Sequence, residues 1–158
     1  MKRGRHVASL RIVPLAIGLI GPLALLRSAA AEDWPDYEKL TREQVIVAVR
    51  SAGTQKPVLY AKNPTGVDLS GIDFRGANLG ASVFNHADLR GANLSRCDLT
   101  ISFAEGANLE RADLRESKFI DTEFTGANLR DADFTGSTFR GVKGLEQAVR
   151  AAARGLPD

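Results

Sequence analysis

The sequence predicts an all-β solenoid of square cross-section, and three observations carry that prediction. From Val67 to Gly141 the chain repeats one five-residue phrase fifteen times, among them GVDLS, GANLG, HADLR, RADLR and GSTFR. The centre of each phrase is Leu or Phe from Leu69 to Phe139, with Ala104 the one exception. Two residues before each centre stands a mostly small residue, and reading those every twenty positions sorts them by type.

A helix would place apolar residues at i, i+3, i+4 and i+7, and a half-buried strand would alternate with period two. A sustained period of five fits neither and belongs to a repeat architecture. Within a unit, the centre and the residue two before it share a parity, so both face one side of an extended segment. Leu and Ala then point inward, and the Asp or Asn between them points out. Two turn residues complete the unit and make a corner. The first column of small residues is Val67, Ala87, Ala107, Ala127, and the second is Ile72, Ala92, Ala112, Ala132. The third is Ala77, Cys97, Ser117, Ser137, and the fourth is Ser82, Ser102, Thr122, Val142. Past the first coil, two columns are Ala and two are Cys, Ser or Thr, apart from Val142 at the end. Four units per turn produce that sorting. About four coils then stack over residues 67–143.

The units GANLG, HADLR, GANLS, GANLE, RADLR and GANLR resemble the pentapeptide-repeat family, with its A(D/N)LXX pattern, over roughly half the chain. The resemblance implies a right-handed quadrilateral parallel β-helix. Ala104 departs from the pattern, as do Val83 and Phe103, which stand where the family prefers Asp or Asn.

Ahead of the repeats, residues 1–31 read as a secretory signal peptide. Lys2, Arg3, Arg5 and Arg11 make a basic start, Ile12 to Leu26 is apolar, and Ala29-Ala30-Ala31 supplies a cleavage site before Glu32. The apolar run contains Pro14, Gly18, Gly21 and Pro22 and falls short of the ~20 residues a span needs. An exported protein is expected, periplasmic or extracellular, with no membrane span after cleavage. The leader holds five basic residues and no acidic one, so the chain's 21 basic and 19 acidic residues become 16 against 19, and +2 becomes −3. A nucleic-acid footprint needs a basic face. The repeats hold 12 acidic and 8 basic residues, and no nucleic-acid partner is expected.

Residues 32–66 are expected to cap the first end. Glu32 to Glu38, with Trp34 and Pro35, reads as irregular, and Thr41-Arg42-Glu43-Gln44 as a capping box. The helix it starts runs to about Ala52, with Gly53 as its stop. Val45, Val49 and Ala52, joined by Ile46 and Ala48, form its apolar stripe. Lys56 to Lys62 reads as a lead-in strand, and Asn63-Pro64-Thr65-Gly66 as a turn. Bulky Val67 and Ile72 in the first coil suggest that this helix lies on top of them. Beyond the repeats, residues 144–158 are expected to form a second capping helix, with Leu145, Ala148, Val149 and Ala152 on one face. A cap at each end answers the open edges a solenoid would otherwise present.

On the outer surface, Arg90, Glu110 and Arg130 make one charged column and Arg96 with Glu116 part of another, while Asp113 stacks on Asp133. The fourth side differs, because two of its outward positions are Val83 and Phe103. With Ile101 and Ile120 they form a candidate patch for a protein partner; alternatively Phe103 turns inward as a bulge into room left by Ala104. Cys97, the only cysteine, reads as a small buried hydrophobe. His86 is the one histidine after the leader, and no Gly-rich phosphate loop or nucleophile elbow occurs. No catalytic residue, cofactor or metal is expected. The expected function is a non-enzymatic exported interaction or scaffold module for an unknown protein partner. The alternative is a self-associating structural protein of the cell envelope, with homo-oligomers. A DNA-mimic that protects topoisomerases, or an enzyme, is less favoured.

Overall fold

The computed structural model describes residues 36–157. The expected leader, its junction at Ala31 and Glu32, and Trp34 lie outside the described residues.

The five-residue period folds as the columns predict. Each extended triplet pairs in parallel with the triplet twenty residues on, so four stacks of short rungs form four faces. Asp68, Asp88, Asn108 and Asn128 mark the first face, and Asp73, Asn93, Asp113 and Asp133 the second. Val58, Asn78, Asp98 and Lys118 mark the third; Val83, Phe103, Glu123 and Lys143 mark the fourth. Successive rungs exchange N–H bonds in both directions: Leu69 donates to Asp88 O at 2.7 Å, and Asp88 donates to Val67 O at 3.0 Å. Corners close with a bond from the next unit to the previous centre, as from Ala87 N–H to Phe84 O at 2.9 Å.

The centres fill one core. Leu69, Leu79, Leu94, Leu114 and Leu129 are fully buried, as are Ala77, Ala87, Ala92, Ala107, Ala127 and Ala132. In the last coil the aliphatic filling gives way to rings. Phe119, Phe124, Phe134 and Phe139 lie with centroids 5.3–6.2 Å apart in tilted, stacked and edge-on pairs, the spacing aromatic rings favour.

At the first end, α1 (Arg42–Ser51) forms where the capping box places it. Thr41 accepts from Gln44 N–H at 3.3 Å, and the Gln44 side chain accepts from Thr41 N–H at 2.8 Å. Val45 is buried, and Ile46, Ala48 and Val49 pack on the core that contains Leu69 and Ile72. The coil itself starts earlier than the repeat pattern suggests. Pro57-Val58-Leu59 supplies the first rung of the third face. On the fourth face, β1 (Glu38–Lys39) pairs in parallel with β2 (Lys62–Asn63), which leads on to Val83. Glu38 therefore belongs to a rung rather than to an irregular segment, and α1 is an insertion between rungs.

At the other end the expected capping helix does not form. β3 (Lys118–Ile120) pairs with β4 (Thr138–Arg140), and the chain then continues the solenoid. Val149 pairs with Asn128 and Arg154 with Asp133, a pitch of 21 instead of 20. The Ala-rich run has good helix propensity, yet a ten-residue helix is marginal by itself. The exposed ladder edge offers more: Val149 N–H reaches Ala127 O at 2.9 Å, and Leu129 N–H reaches Val149 O at 2.8 Å. Gly144 helps the chain close over the stack. It sits at φ +77, and a Cβ there would collide with the backbone and side chain of Thr125. Leu145 is buried against the core, with Ala148 and Leu156 packed beside it.

Candidate functional site

The outward Asp and Asn of each unit serve the corner that follows them. Asp68 Oδ1 accepts from Ser70 N–H at 2.9 Å, Asp88 from Arg90 at 3.1 Å, Asn108 from Glu110 at 3.2 Å and Asn128 from Arg130 at 3.2 Å. The second and third faces repeat this at Asp73, Asn78, Asn93, Asp98, Asp113 and Asp133. A backbone N–H that the ladder cannot reach is thereby satisfied. Turn chemistry accounts for these residue types at these positions.

The Ser and Cys columns have an equally local explanation. Ser82 donates to Leu59 O at 2.6 Å, Ser117 to Leu94 O at 2.7 Å, Thr122 to Leu99 O at 2.8 Å and Ser137 to Leu114 O at 2.7 Å. Cys97 takes the same position, its Sγ 3.2 Å from Phe74 O. Burial pushes its thiol up to about 12, so the reactive thiolate is scarce at neutral pH. His86 leans on the next corner: a Cβ on Gly106 would come within 2.5 Å of its Nδ1.

Surface charge is paired within a unit at Arg75–Asp73, Arg90–Asp88 and Arg115–Asp113, and between units elsewhere, as at Lys118–Asp98. Arg90 grips Asp88, with Nε to Oδ1 at 2.9 Å and Nη2 to Oδ2 at 2.6 Å, so the expected Arg90–Glu110–Arg130 ladder does not form at Arg90. Arg96 does reach Glu116, at 2.9 Å. Asp113 stacks on Asp133 as expected, but Arg115 holds the first through two bonds of 2.8 and 2.6 Å, and Arg154 holds the second at 2.9 Å. The Arg115 hydrogen bonds lower the Asp113 carboxyl, and the Thr135 hydroxyl and N–H lower that of Asp133. No group of three His, Cys, Asp or Glu suited to a metal ion occurs among the described residues.

The fourth face departs from the pattern, though not as a bulge. Phe103 keeps its ladder bonds, donating to Ser82 O at 2.9 Å and accepting from Phe84 N–H at 2.7 Å. Ala104 is buried between rung neighbours Phe84 and Phe124, both buried themselves. Two large rings on either side replace the missing Leu, so Phe103 has no hole to fill. Phe103 also has no carboxylate or amide to offer Glu105 N–H. Asn85, one coil earlier, supplies it at 3.0 Å. Of the four candidate patch residues, Val83 is completely buried, being a small side chain in a column with Asn63 and the larger Phe103, so it is not available to a partner. Phe103 and Ile120 are half-buried, and Ile101 is 43% exposed.

A second apolar surface went unforeseen. Val47, Val58 and Tyr60 are 63%, 67% and 55% exposed. Val47 and Val58, with Leu40, Ala48 and Leu59, line a groove of about 430 Å³ beside α1, rimmed by Glu38, Glu43, Gln44 and Lys62. Its sequence signal was an apolar residue on the face of α1 opposite Val45, facing a strand that begins a coil before the repeats are recognisable.

The family model for pentapeptide repeats matches residues 65–100 and 105–143, as 8 copies. The break falls on Ile101-Ser102-Phe103-Ala104, the irregular unit. Among solved structures, a pentapeptide repeat protein from Nostoc PCC 7120 is similar with TM-score 0.54 and 24% identity, over 67% of this chain and 96% of that one. The protein Rfr23 from the cyanobacterium Cyanothece 51142 is similar at 26% identity and TM-score 0.47, over 60% of each chain. HetL of Nostoc sp. strain PCC 7120, involved in heterocyst differentiation regulation, gives 23% identity and TM-score 0.43, over 62% of this chain and 51% of that chain. The fold of these proteins is the right-handed quadrilateral β-helix. No curated protein sequence matches this chain.

Proposed function

Because its repeat region belongs to the pentapeptide-repeat family, we propose that this protein is an exported, non-enzymatic interaction module that holds a protein partner against a rigid prism. The observation that carries this reading is the groove beside α1, where Val47 and Val58 stay exposed at the edge of a packed core. Exposed apolar surface of that kind marks binding sites. A non-enzymatic role is further supported by how the polar groups are engaged: the Asp and Asn side chains close corners, and the Cys97 thiol is buried. Export is the reading of the basic, apolar and small-residue segments of residues 1–31, and a net charge of −3 beyond them argues against a nucleic-acid partner.

Capture of partners from an envelope fraction with the tagged mature chain tests the proposal. Val47→Glu with Val58→Glu should abolish capture and leave the melting temperature within a few degrees, whereas Ile101→Glu should retain it. Undiminished capture by the groove variant would refute the site. Self-association is the second reading, favoured by Arg150 and Ala152, whose N–H groups have no acceptor among the described residues.

A further inference from the structure

We infer that the groove beside α1 takes an extended, apolar and basic segment of a partner protein, which adds to the third face as one more strand. The inference rests on the proposed function and deepens it, because it names what the groove holds. On the third face each rung meets the one before it through three groups. Asn78 donates to Pro57 O at 2.8 Å and accepts from Leu59 N–H at 2.9 Å, and Gly80 O accepts from Ala61 N–H at 3.0 Å. One coil on, Asp98 and Thr100 repeat the pattern toward Ala77, Leu79 and Ala81 at 3.0, 2.9 and 2.8 Å. Val58 and Tyr60 hold the equivalent places in the first rung. Among the described residues, Val58 N–H has no acceptor, and Val58 O and Tyr60 O have no donor. That edge offers one donor and two acceptors, the set a parallel strand meets.

The chain is poorly suited to fill this place itself. On the fourth face Leu40 N–H donates to Asn63 O at 3.1 Å, and β1 supplies the earlier rung. Five residues back, the matching donor to Val58 O would be Pro35, and proline has no N–H to give. The side chains around the edge define the strand that fits. Val58 and Leu59 of this rung face Val47 and Ala48 of α1 across the groove, which Leu40 also lines. In an added strand the residue opposite Val58 points outward, and its two neighbours point in and meet apolar surface. At the rim Lys62 pairs with Glu38, whereas Glu43 has no ion-pair partner among the described residues. Two carboxylates against one ammonium leave the rim acidic, and a Lys or Arg flanking the strand complements it. Main-chain bonds then hold the peptide, and its alternate side chains select it.

A fluorescein-labelled, amide-capped pentapeptide, Val-Thr-Val between two lysines, tests the inference when titrated into the full chain. Fluorescence anisotropy should show saturable binding, and methylating the backbone nitrogen of the second Val should weaken it about tenfold. Glu43→Gln should weaken it about threefold and flatten its dependence on salt. In hydrogen exchange, the Val58 amide should exchange freely in the protein alone and about tenfold more slowly under saturating peptide. The Asn78 amide, already bonded, should not change. Absence of binding, binding indifferent to the backbone methyl, or Val58 exchange that the peptide leaves unchanged would overturn strand addition. Val58 protection that rises with the protein's own concentration would assign the edge to a second copy and overturn it too. The two readings fail separately, because a methyl without effect removes only the strand, while envelope capture by the groove variant still reports on the partner site.

Discussion

The first and fourth faces share one pitch, yet they satisfy their corners differently. On the first, each unit is self-sufficient: its own Asp or Asn accepts the N–H two residues on. On the fourth, the unit holding Phe103 borrows Asn85 from the coil before, and its small Ala104 is matched to Phe84 and Phe124. The comparison teaches that the repeat is a constraint on columns as much as on units. A unit can lose its capping side chain or its central Leu when neighbours twenty residues away compensate.

Removing a first-face centre should do the most damage, because nothing there compensates. Leu109→Ala should cost ~2–5 kcal/mol, read from chemical denaturation. On the fourth face the corresponding change runs the other way: Ala104→Leu restores the repeat consensus but should destabilise by ~1–3 kcal/mol through overpacking against Phe84 and Phe124. A gain in stability would mean that the rings leave room. Asn85→Ala strips the acceptor from Glu105 N–H and should cost ~1–2 kcal/mol, with faster amide exchange at Glu105. Smaller is the effect of Lys39→Asn. Asn63 Nδ2 is buried without a partner, and Lys39 stands beside it in the same relation as Asn108 to Asn128, where Asn128 Nδ2 donates to Asn108 Oδ1 at 3.0 Å. An Asn at 39 gives Asn63 an acceptor and should raise stability by ~0.5–1 kcal/mol.

Acid should loosen the first face, where Asp68 and Asp88 close corners. Asp88 is held below the ordinary carboxylate range chiefly by the Arg90 side chain, and Asp68 chiefly by the Ser70 hydroxyl. A carboxylate depressed in the folded state binds protons more readily when unfolded. Its contribution is therefore full above the unfolded value of ~3.9 and is lost as pH falls through the lower folded value. Melting temperature should hold steady above about pH 5 and fall below about pH 4. Asp88→Asn keeps an acceptor for the Arg90 N–H but no titrating group, so the acid fall should become shallower. An unchanged slope would show that Asp88 contributes nothing to it.

Most of the solenoid was legible in the residues, because a period of five sorted into four columns admits few alternatives. Thr41 and Gln44 likewise announced α1. Two parts were hidden for physical reasons. Leu145 to Arg154 has helical composition, but an open ladder edge competed for its backbone and won. At the first end, α1 interrupts the pitch, so the 24-residue step from Lys39 to Asn63 concealed two early rungs. The candidate site was read less well. Val83 was identifiable as an anomaly, but its burial belongs to its column, beside Phe103, and its own unit does not record that. The groove of Val47 and Val58 arises from two segments whose proximity no local pattern records.

The register of the coil is the claim on which the faces and the groove both depend. Disulfide formation tests it directly, in a Cys97→Ser background that keeps a donor toward Phe74 O. Asn108→Cys with Asn128→Cys places two thiols on adjacent rungs, ~4.8 Å apart and within disulfide reach. That pair should oxidise rapidly in the folded protein, and Asn108→Cys with Arg130→Cys should not. Equal oxidation of both pairs, or failure of the first, would contradict the twenty-residue coil.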